Sequence, residues 1–269
     1  MTKTILVTGA TDGIGLATVR VLAGLGHTIL LHGRNVDKLN TVQTELAGLA
    51  QGGRIHSYVA DLSRVNEVEA LAQAVAADHT NLDVLINNAG VYHTPVAKTE
   101  DGLDTRFAVN TFAPYLLANC LWDLLCSSRG SRVINLSSAA QSPVQIDALI
   151  GKTTLSAGEA YAQSKLALTM WTQEQALVSG ETGPKVIAVN PGSMLGSKMV
   201  KEAFGVAAGD VSQGADVLVK VAVSDDFADA NGRYFDNDSG KFAALHPDAL
   251  DRRKSKAVVD AIEDFLAIL

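Results

Sequence analysis

The stretch Thr8-Gly9-Ala10-Thr11-Asp12-Gly13-Ile14-Gly15 constrains this chain most. It follows an apolar run, Thr4-Ile5-Leu6-Val7, and precedes Leu16 to Leu25, which has helical character. The order is therefore strand, glycine-rich turn, helix. Backbone N–H groups of such a turn, together with the helix N-terminus, form a site for a phosphate-bearing ligand. Glycine suits the turn because a Cβ would hold the backbone away from the phosphates and off the neighbouring strand. The spacing is not G-x-G-x-x-G, since three residues separate Gly9 from Gly13. A plain tight turn is the alternative. The position favours a dinucleotide site, because this is the first turn of the chain and follows a strand of buried type.

The rest of the chain alternates in the same way. Strands are expected at Thr28 to His32, Arg54 to Val59, Asp83 to Asn87, Arg132 to Ser137, Lys185 to Val189 and Gly232 to Phe235. Helices are expected at Val36 to Leu49, Ser63 to Ala77 (capped by Ser63 or Asp61), Asp101 to Leu125 interrupted by Pro114, Glu159 to Ser179, Val211 to Val223 and Pro247 to Ile268. Strict alternation implies right-handed crossovers and one parallel sheet covered on both faces. With 269 residues and no break in composition, the chain reads as a single α/β domain of Rossmann type. The expected architecture is a doubly wound parallel sheet of about seven strands. Ligands of such sheets bind beyond the carboxyl ends of the strands, where strand order reverses.

Composition narrows the function classes. Apolar residues make up 47% of the chain and charged residues 19%, which supports a large core. The net charge of −7, without a basic stripe, argues against nucleic acid as a partner. Arg252-Arg253-Lys254 reads as a solvated helix face. Cys120 and Cys126 lack metal-ligand spacing and the six histidines are scattered, so no metal site and two buried apolar cysteines are expected. No apolar run reaches about 18 residues, and a strand begins almost at the N-terminus. A cytoplasmic protein is the expectation.

Strand two ends in His32-Gly33-Arg34-Asn35, with no acid before Arg34. A carboxylate there would accept hydrogen bonds from the adenosine 2′-hydroxyl of NAD(H). Arg34 can instead pair with a 2′-phosphate. The residues therefore favour NADP(H), with NAD(H) as the alternative and a solvated loop arginine as the plain reading. Asp61-Leu62 closes strand three. Asp61 can accept from an adenine amino group, cap the next helix, or do both.

Tyr161-Ala162-Gln163-Ser164-Lys165 places a phenol and an ammonium one helical turn apart on one face. A phenol titrates near pH 10, and a nearby cation favours the phenolate, which makes a usable acid/base. Tyr-x-x-x-Lys alone arises often by chance. It gains weight from Ser137-Ser138 at the end of strand five and from the upstream turn.

With these residues in place, the chain resembles a short-chain dehydrogenase/reductase over nearly its whole length. The resemblance rests on Thr8-Gly9-x-x-x-Gly13-Ile14-Gly15, Asn87-Asn88-Ala89-Gly90, Val109-Asn110, Ser138, Tyr161-x-x-x-Lys165 and Asn190-Pro191-Gly192, in that order. It implies that Tyr161 exchanges a proton with the substrate oxygen and that Ser138 orients that oxygen. Lys165 would hold the nicotinamide ribose and lower the Tyr161 pKa, and Asn110 would keep a relay water behind Lys165. Ser137 competes with Ser138; the second serine of such a pair is the usual one. The implied cofactor contacts are Gly9, Thr11, Asp12, Gly13, Ile14, Gly15, Arg34, Asn35, Asp61, Leu62, Asn88, Ala89, Gly90, Tyr161, Lys165, Pro191, Gly192 and Ser193. The implied reaction interconverts an alcohol and a carbonyl by hydride transfer. C=C reduction and a non-catalytic NADP(H) sensor are the alternatives.

Two features depart from the common pattern. Gly196 stands where a threonine often binds the nicotinamide carboxamide, leaving Ser193 or Ser197 to replace it. The interval from Ser138 to Tyr161 is longer than in many members, which is most similar to the retinol-dehydrogenase-like branch. Loops at about 138–158 and 193–210 are expected to meet the substrate. Val144, Ile146, Leu149, Ile150, Met194, Leu195, Met199 and Phe204 offer an apolar wall, or else pack the loops onto the body. Members commonly form dimers or tetramers through the long helices, here 101–125 and 159–179.

Overall fold

The protein is described from a computed structural model, which covers residues 2–193, 195 and 210–269. Its first half alternates β1 (Thr4–Val7), α1 (Gly13–Gly24), β2 (Thr28–Gly33), α2 (Val36–Leu49), β3 (Ile55–Val59), α3 (Val65–Asp78) and β4 (Val84–Asn87). Next come α4 (Thr105–Phe107), a π-helical turn (Ala108–Phe112), α5 (Ala113–Cys120), α6 (Trp122–Cys126) and β5 (Arg132–Leu136). The remainder is α7 (Ile146–Leu149), α8 (Ala157–Ser179), β6 (Lys185–Asn190), α9 (Val211–Val223), β7 (Tyr234–Asp236), β8 (Lys241–Ala243), α10 (Pro247–Leu250) and α11 (Arg252–Leu266).

All eight strands form one sheet in the order β3-β2-β1-β4-β5-β6-β7-β8. Every pairing is parallel except β7 with β8. The order reverses between β1 and β4, so the crevice for a ligand opens beyond Val7 and Asn87. Side-chain alternation along each strand builds two cores. Leu6, Leu85 and Val133 pack under α3, α5, α8 and α11. Ile5, Val7, Ile86 and Ile134 pack under α1, α2 and α9.

Among the described residues the expected seven strands are eight. Lys241–Ala243 is too short to stand out as a strand and gains its state by pairing antiparallel with β7. The expected helix over 101–125 is four segments, and Pro114 sits in the first turn of α5 rather than interrupting it. Asn110 lies at the centre of the π-helical turn. α3 begins at Val65 without a local side-chain cap, because Asp101 Oδ2 accepts from Val65 N at 3.2 Å. Asp61 instead accepts from Ser63. The terminal helix divides at Asp251, whose extended backbone and carboxylate start α11. Cys120 and Cys126 are exposed, not buried, because they fall on the outer side of their short helices.

The last helix packs back onto the body of the chain. α11 lies against α8, with Val258 and Ile262 buried. Phe265 meets Phe112 ring to ring at 5.4 Å, and Tyr115 Oη donates to Glu263 Oε1 at 2.6 Å. Among the described residues, no helix is long and apolar enough to cross a membrane.

Candidate active site

A cleft of about 530 Å³ runs over the carboxyl ends of β1, β2, β4, β5 and β6. It gathers Gly9, Thr11, Asp12, Gly13, Ile14, Gly15, Arg34, Asn35, Asp61, Leu62, Asn88, Ala89, Gly90, Ser138, Tyr161, Lys165, Pro191 and Gly192 along one wall or another. Of the sequence-expected set, Ser193 and Asn110 alone lie off this lining. Gly196 and Ser197, and the apolar candidates Met194, Met199 and Phe204, lie outside the described residues.

At one end the glycine turn is pinned by partners far away in sequence. Gly9 has φ +65, a left-handed conformation that suits glycine. Asn88 Nδ2 donates to Thr8 O and Gly9 O at 2.8 and 3.1 Å, and Ala89 N donates to Thr8 Oγ1 at 3.0 Å. Asp12 caps α1 by accepting from Gly13 N. Thus the Asn88-Ala89-Gly90 segment braces the turn as well as lining the cleft.

His32 is a site residue that the sequence reading missed, because a lone histidine at a strand end carries no motif. Its Nδ1 accepts from Gly9 N at 3.2 Å, which assigns the ring proton to Nε2, facing Ala60 O at 3.0 Å. Burial pushes its pKa down to about 4 from 6.5. Between these values the unfolded chain binds a proton that the folded chain refuses. Stability therefore falls as pH drops from about 6.5 to about 4, by roughly 3 kcal/mol from this group. Urea unfolding of wild type and His32→Gln across that range tests this: the variant should lose that part of the slope. Equal slopes would refute it.

Arg34 is exposed at the cleft mouth and makes no ion pair among the described residues. Lys38, one turn into α2, also lines the cleft and sits 3.7 Å from the Asp12 carboxylate. The sequence reading missed Lys38; its i+4 spacing from Arg34 was the available signal. Asn35 spends its side chain capping α2 through Lys38 N.

At the other end, α8 opens with a capping box between Ser156 and Glu159. This fixes the helix start five residues before Tyr161 and turns Tyr161 and Lys165 to the cleft. Lys165 is 4% exposed, and its Nζ donates to Leu136 O at 2.6 Å. Burial lowers its pKa to about 8. Burial raises the Tyr161 phenol, while a hydrogen bond with Ser138 pulls it back and the neighbouring Tyr92 raises it. The expected lowering by Lys165 is not among these influences. The ammonium is turned to Leu136 O and stands 5.8 Å from the centre of the Tyr161 ring.

Ser138 and Ser137 separate cleanly. Ser137 is buried and its hydroxyl is bonded to Lys165 O and Thr169 Oγ1. Ser138 lines the cleft together with Tyr161, and its hydroxyl accepts from Ala140 N at 3.1 Å. Asn110 is 1% exposed: its Oδ1 accepts from Val91 N at 2.8 Å, and its Nδ2 donates to Val91 O and Ser164 Oγ, both at 3.0 Å. It thereby ties the π-helical turn to the strand-four loop and to α8. Tyr92 and His93, which follow Gly90, also line the cleft. The Tyr92 ring lies 5.0 Å from that of Tyr161 and 5.0 Å from that of His93.

Val144, Ile146, Leu149 and Ile150 pack onto the core under α8, so this half of the expected apolar wall belongs to the body of the protein. Leu195 does line the cleft. The Ser193 hydroxyl donates to Asp238 Oδ2 at 2.5 Å.

The sequence profile of the short chain dehydrogenase family matches residues 3–207. Human retinol dehydrogenase 13 is 32% identical over 271 residues, spanning 94% of this chain and 81% of that protein. A short chain dehydrogenase of Shigella flexneri 2a, crystallised with NADP, is 27% identical with a TM-score of 0.69, covering 87% of this chain and 96% of that one. Another from Escherichia coli CFT073, crystallised with NADPH, is 26% identical with a TM-score of 0.71 and covers the same shares.

Proposed function

We propose, from the premise that this chain belongs to the short-chain dehydrogenase family and is an oxidoreductase of CH–OH groups, that it interconverts an apolar alcohol and its carbonyl with NADP(H). The observation that carries this reading is the single cleft joining the pinned glycine turn to Ser138, Tyr161 and Lys165. A Cβ at Gly15 would lie 2.3 Å from Gly9 O, so the turn is as close-packed as a pyrophosphate cradle requires. NADP in one structural relative and NADPH in another support the cofactor class.

Thr11, Asp12, Gly13, Ile14 and Gly15 would hold the pyrophosphate at the N-terminus of α1. Asp61 and Leu62 would flank the adenine. Arg34, with Lys38 behind it, would meet the 2′-phosphate. Asn88 to Gly90, Pro191, Gly192 and Lys165 would hold the nicotinamide end. The nicotinamide, when bound, supplies or accepts the hydride.

In the reductive direction Tyr161 donates its phenolic proton to the carbonyl oxygen, and in oxidation it takes that proton back. Ser138 donates a hydrogen bond to the same oxygen and orients it. Lys165, protonated below about pH 8, would hold the ribose of a bound cofactor, and its charge would favour the phenolate. Asn110 supports this from behind through Ser164 and Val91. The apolar substrate class is supported by the retinol dehydrogenase relatives and by Leu195 in the cleft wall.

The test follows oxidation of NADPH and NADH over a panel of aldehydes and ketones that includes retinal. Wild type should consume NADPH with at least one apolar member. Arg34→Ala should weaken NADPH by about 10- to 100-fold and leave NADH within about twofold, the range for a hydrogen bond to a charged group. Adding Lys38→Ala should deepen the loss. Equal weakening of both cofactors would refute the 2′-phosphate reading.

A further inference from the structure

We infer that β7 and the turn after it, through Tyr234, Asp236 and Asp238, form a brace that positions both Ser138 and the Pro191–Ser193 rim of the cleft; the inference rests on the proposed roles of those two walls. None of the three residues belongs to a recognisable motif.

Tyr234 is 7% exposed, and its phenol donates to Ser138 O at 3.1 Å. Gln141 Nε2 donates to the same carbonyl at 2.9 Å. Both lone pairs of that oxygen are then used, which ties the Ser138 backbone to β7 and to its own loop. The partners are 96 residues apart, so the contact exists only because β7 lies beside β6 in the sheet.

Asp236 pairs in register with Asn190 and accepts from Asn190 Nδ2 at 2.8 Å. Asp238 Oδ2 accepts from the same amide at 2.9 Å. Asp238 also accepts from Ser193 N at 2.7 Å and from Ser193 Oγ. Asn237 Nδ2 donates to Pro191 O at 2.9 Å. Every residue from Asn190 to Ser193 except Gly192 is thus held from the β7–β8 turn, and Gly192 N is held by Asn190 Oδ1.

This arrangement also assigns Ser193. Its hydroxyl and amide are both engaged by Asp238, which makes it a loop anchor rather than a substitute contact for a carboxamide. Tyr234, Asp236 and Asp238 act through Ser138 and the rim, and so are positioning residues. The two halves of the brace predict separable effects.

The tests need no substrate. Tyrosinate absorbance after a stopped-flow pH jump, with each variant referenced to the same variant carrying Tyr161→Phe, reports the titration of Tyr161 alone. In Tyr234→Phe that titration should move up by about 0.5 to 1 pH unit, the worth of one neutral hydrogen bond, because a loosened Ser138 no longer favours the phenolate. NADPH affinity, from its fluorescence titration, should stay within about twofold.

Asp238→Ala should weaken NADPH by about tenfold and leave the Tyr161 titration in place. Asp238→Asn, which keeps one acceptor, should recover part of the loss. An unmoved titration in Tyr234→Phe, or wild-type NADPH affinity in Asp238→Ala, overturns the brace while leaving the reading of the site intact. Wild type that fails to bind NADPH overturns both.

Discussion

Tyr161→Phe is expected to abolish turnover, by about 1,000-fold or more, while NADPH binds as it does to wild type. The substitution removes one hydroxyl and keeps the ring against Tyr92. The proton that must reach the substrate oxygen then has no donor in place, because Ser138 can orient that oxygen but has no base behind it. The neighbouring hydroxyl, Ser137, is committed to Lys165 O and Thr169. The measurement is NADPH oxidation beside a fluorescence titration of the cofactor. Retained turnover would remove Tyr161 from the chemistry. Lost binding would mean that the phenol holds the cofactor instead.

Gly15→Ala should do comparable damage at the opposite end of the cleft. Its Cβ would stand 2.3 Å from Gly9 O and 2.5 Å from Asn88 Nδ2. Both are fixed atoms: the first is backbone, and the second holds Thr8 O and Gly9 O. Relief must come from moving the turn away from β4, which breaks those bonds and the Gly9–His32 contact together. NADPH affinity should fall by more than about 100-fold, with a stability loss of a few kcal/mol. Gly24→Ala is the matched control in the same helix, where an added Cβ meets no heavy atom within 4 Å. That variant should be neutral or gain up to about 1 kcal/mol from helix propensity. Equal behaviour of the two variants would show that packing at the turn does not govern binding.

The cleft residues were legible to very different degrees. Tyr161 and Lys165 are four apart on one helix, and Gly9 to Gly15 are contiguous, so local geometry alone brings each set together. Ser138 follows a strand that is apolar enough to recognise. His32 and Tyr234 were missed as site residues because their roles depend on which strand lies next to which. The sign of the Tyr161 shift was also beyond reach. Spacing places an ammonium nearby, but burial and the direction of Lys165 toward Leu136 O decide the outcome.

The amino-acid order by itself determined the alternation of strands and helices, the phosphate-type turn after β1 and the Ser-Tyr-Lys set after β5. These are written in short windows, where apolar period, glycine placement and helical spacing act within a few residues. Tertiary structure alone decided that Lys241–Ala243 pairs as an eighth strand, that α11 packs on α8, and that Tyr234 of β7 reaches the Ser138 carbonyl. Each of those depends on a contact between residues distant in the chain. Such contacts are selected by the burial and hydrogen bonding of the whole assembly, for which no local stretch carries a signal.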